Sequence, residues 1–168
     1  MSYFVIIRGP LGIGKSSLAK ELSKILGAEY ISMDSLLEEL GLDKVPETEE
    51  CIPAKNFIKA DEHILPKARN KLKDGKIVVF DGNFYHKEQI DHLIKNLSYH
   101  EHYVFTLKAP LKVCIERDKQ RAKPYGKWAT IAVYNLVSRF DCGTIVNTEN
   151  KTLHQVTEEI LSYLPKPL

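Results

Sequence analysis

Tyr3-Phe4-Val5-Ile6-Ile7-Arg8-Gly9-Pro10-Leu11-Gly12-Ile13-Gly14-Lys15-Ser16 runs from an apolar segment straight into a glycine-rich turn. From Gly9 onward it satisfies G-x-x-x-x-G-K-[ST] at every fixed position. Glycines let the backbone curl until several N–H groups point inward at phosphate oxygens. The helix that follows adds the positive end of its dipole. Lys15 is then placed to reach β- and γ-phosphates, and the Ser16 hydroxyl to ligate Mg²⁺. Ordinary residue frequencies produce this pattern by accident in fewer than roughly one chain in a hundred of this length. Here it also has the strand-then-helix context that the chemistry needs. Gly9, Pro10, Leu11, Gly12, Ile13, Gly14, Lys15, Ser16 and Ser17 are therefore the expected phosphate-cradling residues of an ATP site.

Outward from that loop, strand and helix patterns alternate. The continuous apolar run before Arg8 suits a strand buried on both faces of a parallel sheet. Leu18, Leu22, Ile25 and Leu26 share a helical face that Gly27 ends. Tyr30-Ile31 reads as a short strand, and Ser35 with Glu38 as a capping box opening a short helix. The acidic, turn-rich stretch 41–52 reads as a loop. A long amphipathic helix spans Ala54 to Leu72, with a bend expected at Pro66. Strands follow at Ile77–Phe80, Tyr103–Leu107 and Thr144–Val146, with helices around Ile90–Leu97, 111–122, Ile131–Phe140 and Leu153–Leu164. Lys123-Pro124-Tyr125-Gly126-Lys127 breaks the pattern and reads as a mobile loop. This alternation implies parallel β-α-β units in one α/β domain over residues 1–168.

Composition narrows the class. A hydrophobic share of 43% and a charged share of 27% suit a soluble globular domain with a real core. A net charge of +2 announces neither a nucleic-acid groove nor a membrane surface. Cys51, Cys114 and Cys142 are too dispersed for a disulfide framework and read as reduced thiols of a cytosolic protein. No apolar stretch is long enough to span a bilayer, and no signal peptide precedes the first strand.

The loop alone does not choose between a kinase, a GTPase switch and an ATPase. Asp81-Gly82-Asn83-Phe84 fails the D-x-x-G switch, and Asn150-Lys151-Thr152-Leu153 lacks the aspartate of a guanine reader. The order of four elements is more telling: Gly9 to Ser17, Asp34 after the second strand, Asp81-Gly82-Asn83 after the next strong strand, and Cys114-Ile115-Glu116-Arg117-Asp118-Lys119-Gln120-Arg121 before a flexible loop. In this layout the chain resembles the small P-loop kinases of the nucleoside-monophosphate-kinase fold, such as shikimate kinase, chloramphenicol phosphotransferase, the zeta-toxin kinases and polynucleotide kinase. The resemblance covers nearly the whole chain, and its phosphate loop is the specific part. It implies a three-layer α/β/α fold with a five-stranded parallel sheet of order 2-3-1-4-5. It also implies ATP and Mg²⁺ as cofactors, and a helical lid, near 117–130 here, that closes over the nucleotide.

The same resemblance implies roles for single residues. Asp34 falls where these kinases keep a carboxylate beside the acceptor hydroxyl; the bland reading is a helix cap, which Ser35 already supplies. Ser32-Met33-Asp34 departs from the D-x-D that shikimate-kinase-like enzymes often show, which weakens any metal contact from the first position. Asp81 ends a buried strand, where a carboxylate can hold Mg²⁺ through water; otherwise it is an Asp-Gly turn. Gly82 and Asn83 lie at the carboxyl end of a parallel strand, where such sheets bind substrate. Arg117 and Arg121, four residues apart on one helix face, are expected to stack on adenine or clamp phosphates, in an order the sequence leaves open. Arg139 is a candidate for holding an anionic substrate. His100-Glu101-His102 reads as an exposed strand edge more readily than as a metal cluster, and Trp128 as packing or lid anchoring. The expectation is an ATP-dependent kinase with Lys15, Asp34, Arg117 and Arg121 as catalytic residues, a small hydroxyl-bearing acceptor held over residues 34–66, and Mg²⁺ near Ser16 and Asp81. A 5′-hydroxyl polynucleotide or nucleoside kinase is the alternative enzyme, disfavoured by the charge. A non-catalytic ATP-dependent binding module is the alternative class.

Overall fold

The structure, a computed structural model, describes residues 1–166. Residues 167 and 168, which the single-domain reading includes, lie outside the described residues. In chain order the elements are β1 (Tyr3–Arg8), α1 (Lys15–Leu26), β2 (Glu29–Ser32), α2 (Met33–Glu39), α3 (Ala54–Lys73), β3 (Val78–Gly82), α4 (Lys87–Asn96), β4 (Glu101–Lys108), α5 (Leu111–Lys119), α6 (Lys127–Val137), β5 (Thr144–Asn147) and α7 (Leu153–Tyr163). The strands form one sheet of order β2-β3-β1-β4-β5, parallel at every pairing. Fold class and strand order are those the resemblance implied.

Burial on both faces explains why β1 and β3 read as unbroken apolar runs. Along β1, Tyr3, Val5 and Ile7 pack with α1 and α7 through Leu18, Leu22, Val156 and Ile160. Phe4 and Ile6 point the other way, into a larger core with Phe57, Leu65 and Leu93 from α3 and α4. Helices on both faces thus sandwich the sheet. Pro66 sits inside α3, which runs as one helix of 20 residues.

Register matters for the site. Ile7 pairs with Asp81, and Asp81 with Ser32 across the other neighbour. The carboxyl ends of β1, β2 and β3 therefore stop level with one another. The phosphate loop, Asp34 and Asn83 all leave the sheet along that one edge.

Several boundaries differ from the sequence reading: α5 stops at Lys119, short of the expected 122, and α6 at Val137, short of Phe140. Helix α2 begins at Met33, and its cap is Ser32, whose hydroxyl accepts the Ser35 N–H at 3.3 Å; the Ser35–Glu38 capping box does not form. The earlier start puts Asp34 in the first helical turn. Helix α6 starts at Lys127 rather than Ile131, which carries Trp128 onto the helix with 78% of its surface exposed.

Candidate active site

The phosphate loop is built around its glycines. Gly12 has φ +77°, and any side chain there would collide with the Cys114 carbonyl oxygen of α5. Gly14, at φ +95°, turns the chain into α1. Lys15 is buried, and its ammonium donates back to the Pro10 carbonyl oxygen at 3.4 Å, over the hollow of the loop. One side of the loop opens on a cavity of about 280 Å³ lined by Ile13, Gly14, Ser17, Leu107, Arg117 and Thr148. The other opens on a cleft of about 430 Å³ lined by Lys15, Ser16, Tyr30, Asp34, Asn83 and Arg121 among others. The loop is the wall between them, so a nucleotide whose base lay in the first cavity would bring its terminal phosphate to the second.

Arg117 belongs to the first cavity. Its guanidinium donates to the Ile13 carbonyl at 3.2 Å, to Thr148 Oγ1 at 3.0 Å and to the Thr148 carbonyl at 2.9 Å. These bonds tie the phosphate loop to the turn after β5, and Arg117 lines the cavity. Arg121 lies in the second, stacked on the Tyr125 ring at 4.6 Å. The expected shared helix face does not form, because α5 ends at Lys119 and Arg121 lies beyond its cap; the two arginines line opposite sides of the loop. Between them Asp118, almost fully buried, accepts the Tyr125 and Gly126 N–H groups at 3.1 and 2.9 Å and folds the 123–126 loop back on α5.

Asp34 faces the second cleft. Burial pushes its carboxyl upward and the nearby Asp81 charge adds to this, while the Lys15 ammonium and the Asn83 N–H pull it down. Asp81 is 1% exposed; its Oδ2 accepts the Tyr30 hydroxyl at 2.7 Å. Its Oδ1 is buried with no partner among the described residues. A buried carboxylate oxygen without a donor is costly. A hydrated Mg²⁺ held by the Ser16 hydroxyl would supply that donor through its water, so the residues fit such an ion. Gly82 fits between Met33 and the Phe84 ring, and Asn83, whose Oδ1 is also buried and unpaired, lines the cleft.

Arg139 is not brought to the cleft. Its guanidinium makes a bidentate pair with Glu50 at 2.8 and 2.9 Å, on the surface. That pair, the 2.7 Å bond between His86 Nε2 and the Ile52 carbonyl, and the 3.0 Å bond from Asn56 Nδ2 to the Leu42 carbonyl strap the 41–53 segment across the cleft. Cys51, Cys114 and Cys142 are free thiols. His102 stacks on Phe4 and His100 bonds Ser2, and no His, Cys, Asp or Glu cluster among the described residues has metal-binding geometry.

Two contributors were missed in the sequence. Tyr30 carries no motif. Arg8, fully buried, donates to Phe84, Phe140 and Val137 carbonyls and to Thr106 Oγ1, with Phe140 stacked at 4.2 Å; burial lowers its guanidinium to about 10. It braces the Phe84 turn, which sits at the strained φ of +48°. A charged residue ending an otherwise apolar strand was the available signal.

Comparison with known proteins agrees with the fold. A Thermococcus kodakarensis protein provisionally named an adenylate kinase is 26% identical over 95% of this chain and 84% of its own length. The crystal structure of a gluconokinase from Sinorhizobium meliloti superposes with a TM-score of 0.73 at 16% identity, covering 95% of this chain and 90% of the other. A shikimate kinase from Acinetobacter baumannii in complex with shikimate superposes at 0.64 and 17% identity, over 96% and 92%. A family model described as an AAA domain matches residues 4–137, from the first strand through α6. With the phosphate loop, Asp34, Asp81 and the paired arginines all inside that match, the chain belongs to this AAA-domain family and has the P-loop kinase fold.

Proposed function

We propose that the protein is an ATP- and Mg²⁺-dependent phosphotransferase whose acceptor is a hydroxyl of a small molecule carrying no phosphate. The base of ATP occupies the cavity beside Arg117. The triphosphate follows the loop N–H groups, with Lys15 on the terminal phosphates and Mg²⁺ between the Ser16 hydroxyl and Asp81. Mg²⁺ supplies charge neutralisation on the phosphates when bound. Asp34 accepts a hydrogen bond from the acceptor hydroxyl and aims it at the γ-phosphorus. Arg121 and Tyr125 close over the junction as part of a lid at about 117–130.

The observation that carries this reading is the charge of the acceptor half of the cleft. Asp34, Glu38 and Asp43 line it together with Ser32, Ser35 and Asn83. A phosphate-bearing acceptor, as the name adenylate kinase implies, calls for arginine forks that grip it bidentately. Among the described residues Arg121 is the one arginine on this cleft; Arg8, Arg69, Arg117 and Arg139 are bonded elsewhere. Lys15 and Lys20 also line the cleft, both on α1, the side of the donor phosphates. Carboxylates facing the acceptor favour a polyol or other hydroxyl compound over a second phosphate.

The test is a γ-labelled ATP transfer screen over pooled sugars, amino alcohols, oligonucleotides and nucleoside monophosphates. Label on a hydroxyl compound is the expected result. Efficient label transfer to AMP or TMP would replace this reading with a nucleoside-monophosphate kinase. Transfer to oligonucleotide 5′ ends would favour the polynucleotide alternative.

A further inference from the structure

Tyr30 makes a contact that none of the nucleotide-binding motifs accounts for. It lies on the edge strand β2, paired in register with Val79, while Ser32 is level with Asp81. Its side chain reaches along the strand direction to the carboxyl edge, two positions on, and its hydroxyl donates to Asp81 Oδ2 at 2.7 Å. The ring lies under the Lys20 ammonium at 5.8 Å, and the Ser16 and Ser32 hydroxyls border the phenol oxygen. Tyr30 and Ser16 line the same cleft.

The geometry gives the carboxylate two unlike ends. Oδ2 has a fixed donor; Oδ1, equally shielded from water, has none. A carboxylate held by one oxygen cannot rotate freely about its terminal bond, so the empty oxygen has a set direction. An edge-strand residue filling space needs only its ring, and phenylalanine would suffice. A phenol here has the further effect of choosing which oxygen of Asp81 stays open.

We propose that Tyr30 is a positioning residue for the metal: it fixes Asp81 through Oδ2 and so presents Oδ1 to the water shell of the Mg²⁺ ligated by Ser16. This rests on the phosphotransferase reading above, and it assigns Tyr30 no contact with reacting atoms. Ligand-orienting partners of this kind typically account for roughly 10- to 100-fold in metal affinity.

The test compares ATP binding by calorimetry in EDTA and across a Mg²⁺ titration, for wild type, Tyr30→Phe, Asp81→Asn and the double variant, each with its melting temperature. Tyr30→Phe is expected to keep metal-free ATP affinity, with a melting temperature lowered by the loss of the donor to the buried Asp81 Oδ2 but a protein still folded. The Mg²⁺ concentration giving half of the metal-dependent gain should rise by about 10- to 100-fold. Adding Tyr30→Phe to Asp81→Asn should change that concentration no further, because the tyrosine acts through the aspartate. Wild-type Mg²⁺ dependence in Tyr30→Phe overturns the proposal, as does a further loss in the double variant. A drop in metal-free ATP affinity as large as the drop in Mg²⁺-saturated affinity also overturns it and leaves Tyr30 a packing residue. Wild-type protein that binds no ATP at all would instead remove the phosphotransferase reading and this proposal with it.

Discussion

At the residue scale, what could be read from the sequence is what a local motif encodes. Gly9 to Ser17 is a contiguous segment that carries a P-loop motif read from the order of its residues, so its spacing alone specifies it. Lys15 folds over the loop as that motif requires. Hydrogen bonds to charged groups contribute about 1.5–3 kcal/mol, so Lys15→Ala should weaken ATP binding by about 10- to 100-fold in calorimetry. The lysine is buried, so a melting curve must show the variant folded; unchanged affinity in a folded variant would remove the loop from nucleotide binding. Asp34 was legible by its place after a strand. Asp34→Asn keeps the shape and the helix cap, which belongs to Ser32. Transfer should fall by roughly 10²–10⁴ with ATP affinity nearly unchanged, since general-base contributions are of that size. Turnover close to wild type would make Asp34 structural and move attention to Asp81. Tyr30, and the surface pairing of Arg139 with Glu50, were not legible, because their partners lie 51 and 89 residues away.

At the element scale, strands were found through apolar runs and helices through their stripes, and the misplacements have physical causes. Ser35 and Glu38 have the spacing of a capping box, but Ser32 also precedes the helix, and the chain begins the helix one turn earlier at the end of β2. Helix α6 was placed too late because Lys127 and Trp128 carry no apolar periodicity; they are exposed. The segment between α5 and α6 read as a mobile loop from its Pro124 and Gly126. In the structure Asp118 holds two of its amides. Backbone groups already bonded in the free protein gain little on closure. If this segment is a lid, hydrogen exchange should slow on adding ATP and acceptor chiefly at residues 122, 123, 127 and 128, with Tyr125 and Gly126, like Arg121, whose N–H bonds the Asp118 carbonyl, protected in both states. Identical exchange across 117–128 with and without ligands would mean that the α5–α6 connection is a fixed wall of the cleft.

At the scale of the whole molecule, one group outside the cleft lining should make stability depend on pH. Asp61 of α3 has no exposed surface; its oxygens accept from Gln89 Nε2 at 3.1 Å and meet His92 Nδ1 at 3.0 Å, both on α4. Burial drives its carboxyl up to about 8, the Gln89 bond opposes this, and the Glu62 charge nearby adds to it. An unfolded aspartate titrates near about 3.9. Between those values the folded protein keeps a proton that the unfolded chain has released, so this group's contribution falls as pH rises from about 4 to about 8 and is level above that. A charge on the His92 ring would favour the ionised carboxylate and oppose this trend. Asp61→Asn removes the titration while keeping an acceptor for Gln89 and a donor for His92. Urea unfolding at pH 5, 6, 7 and 8 should therefore show the variant gaining stability relative to wild type at each step upward. A difference between the two proteins that stays constant with pH, or runs the other way, would mean that Asp61 is ionised throughout and paired with a charged His92. The α3–α4 contact would then be held by an ion pair instead of a neutral carboxyl.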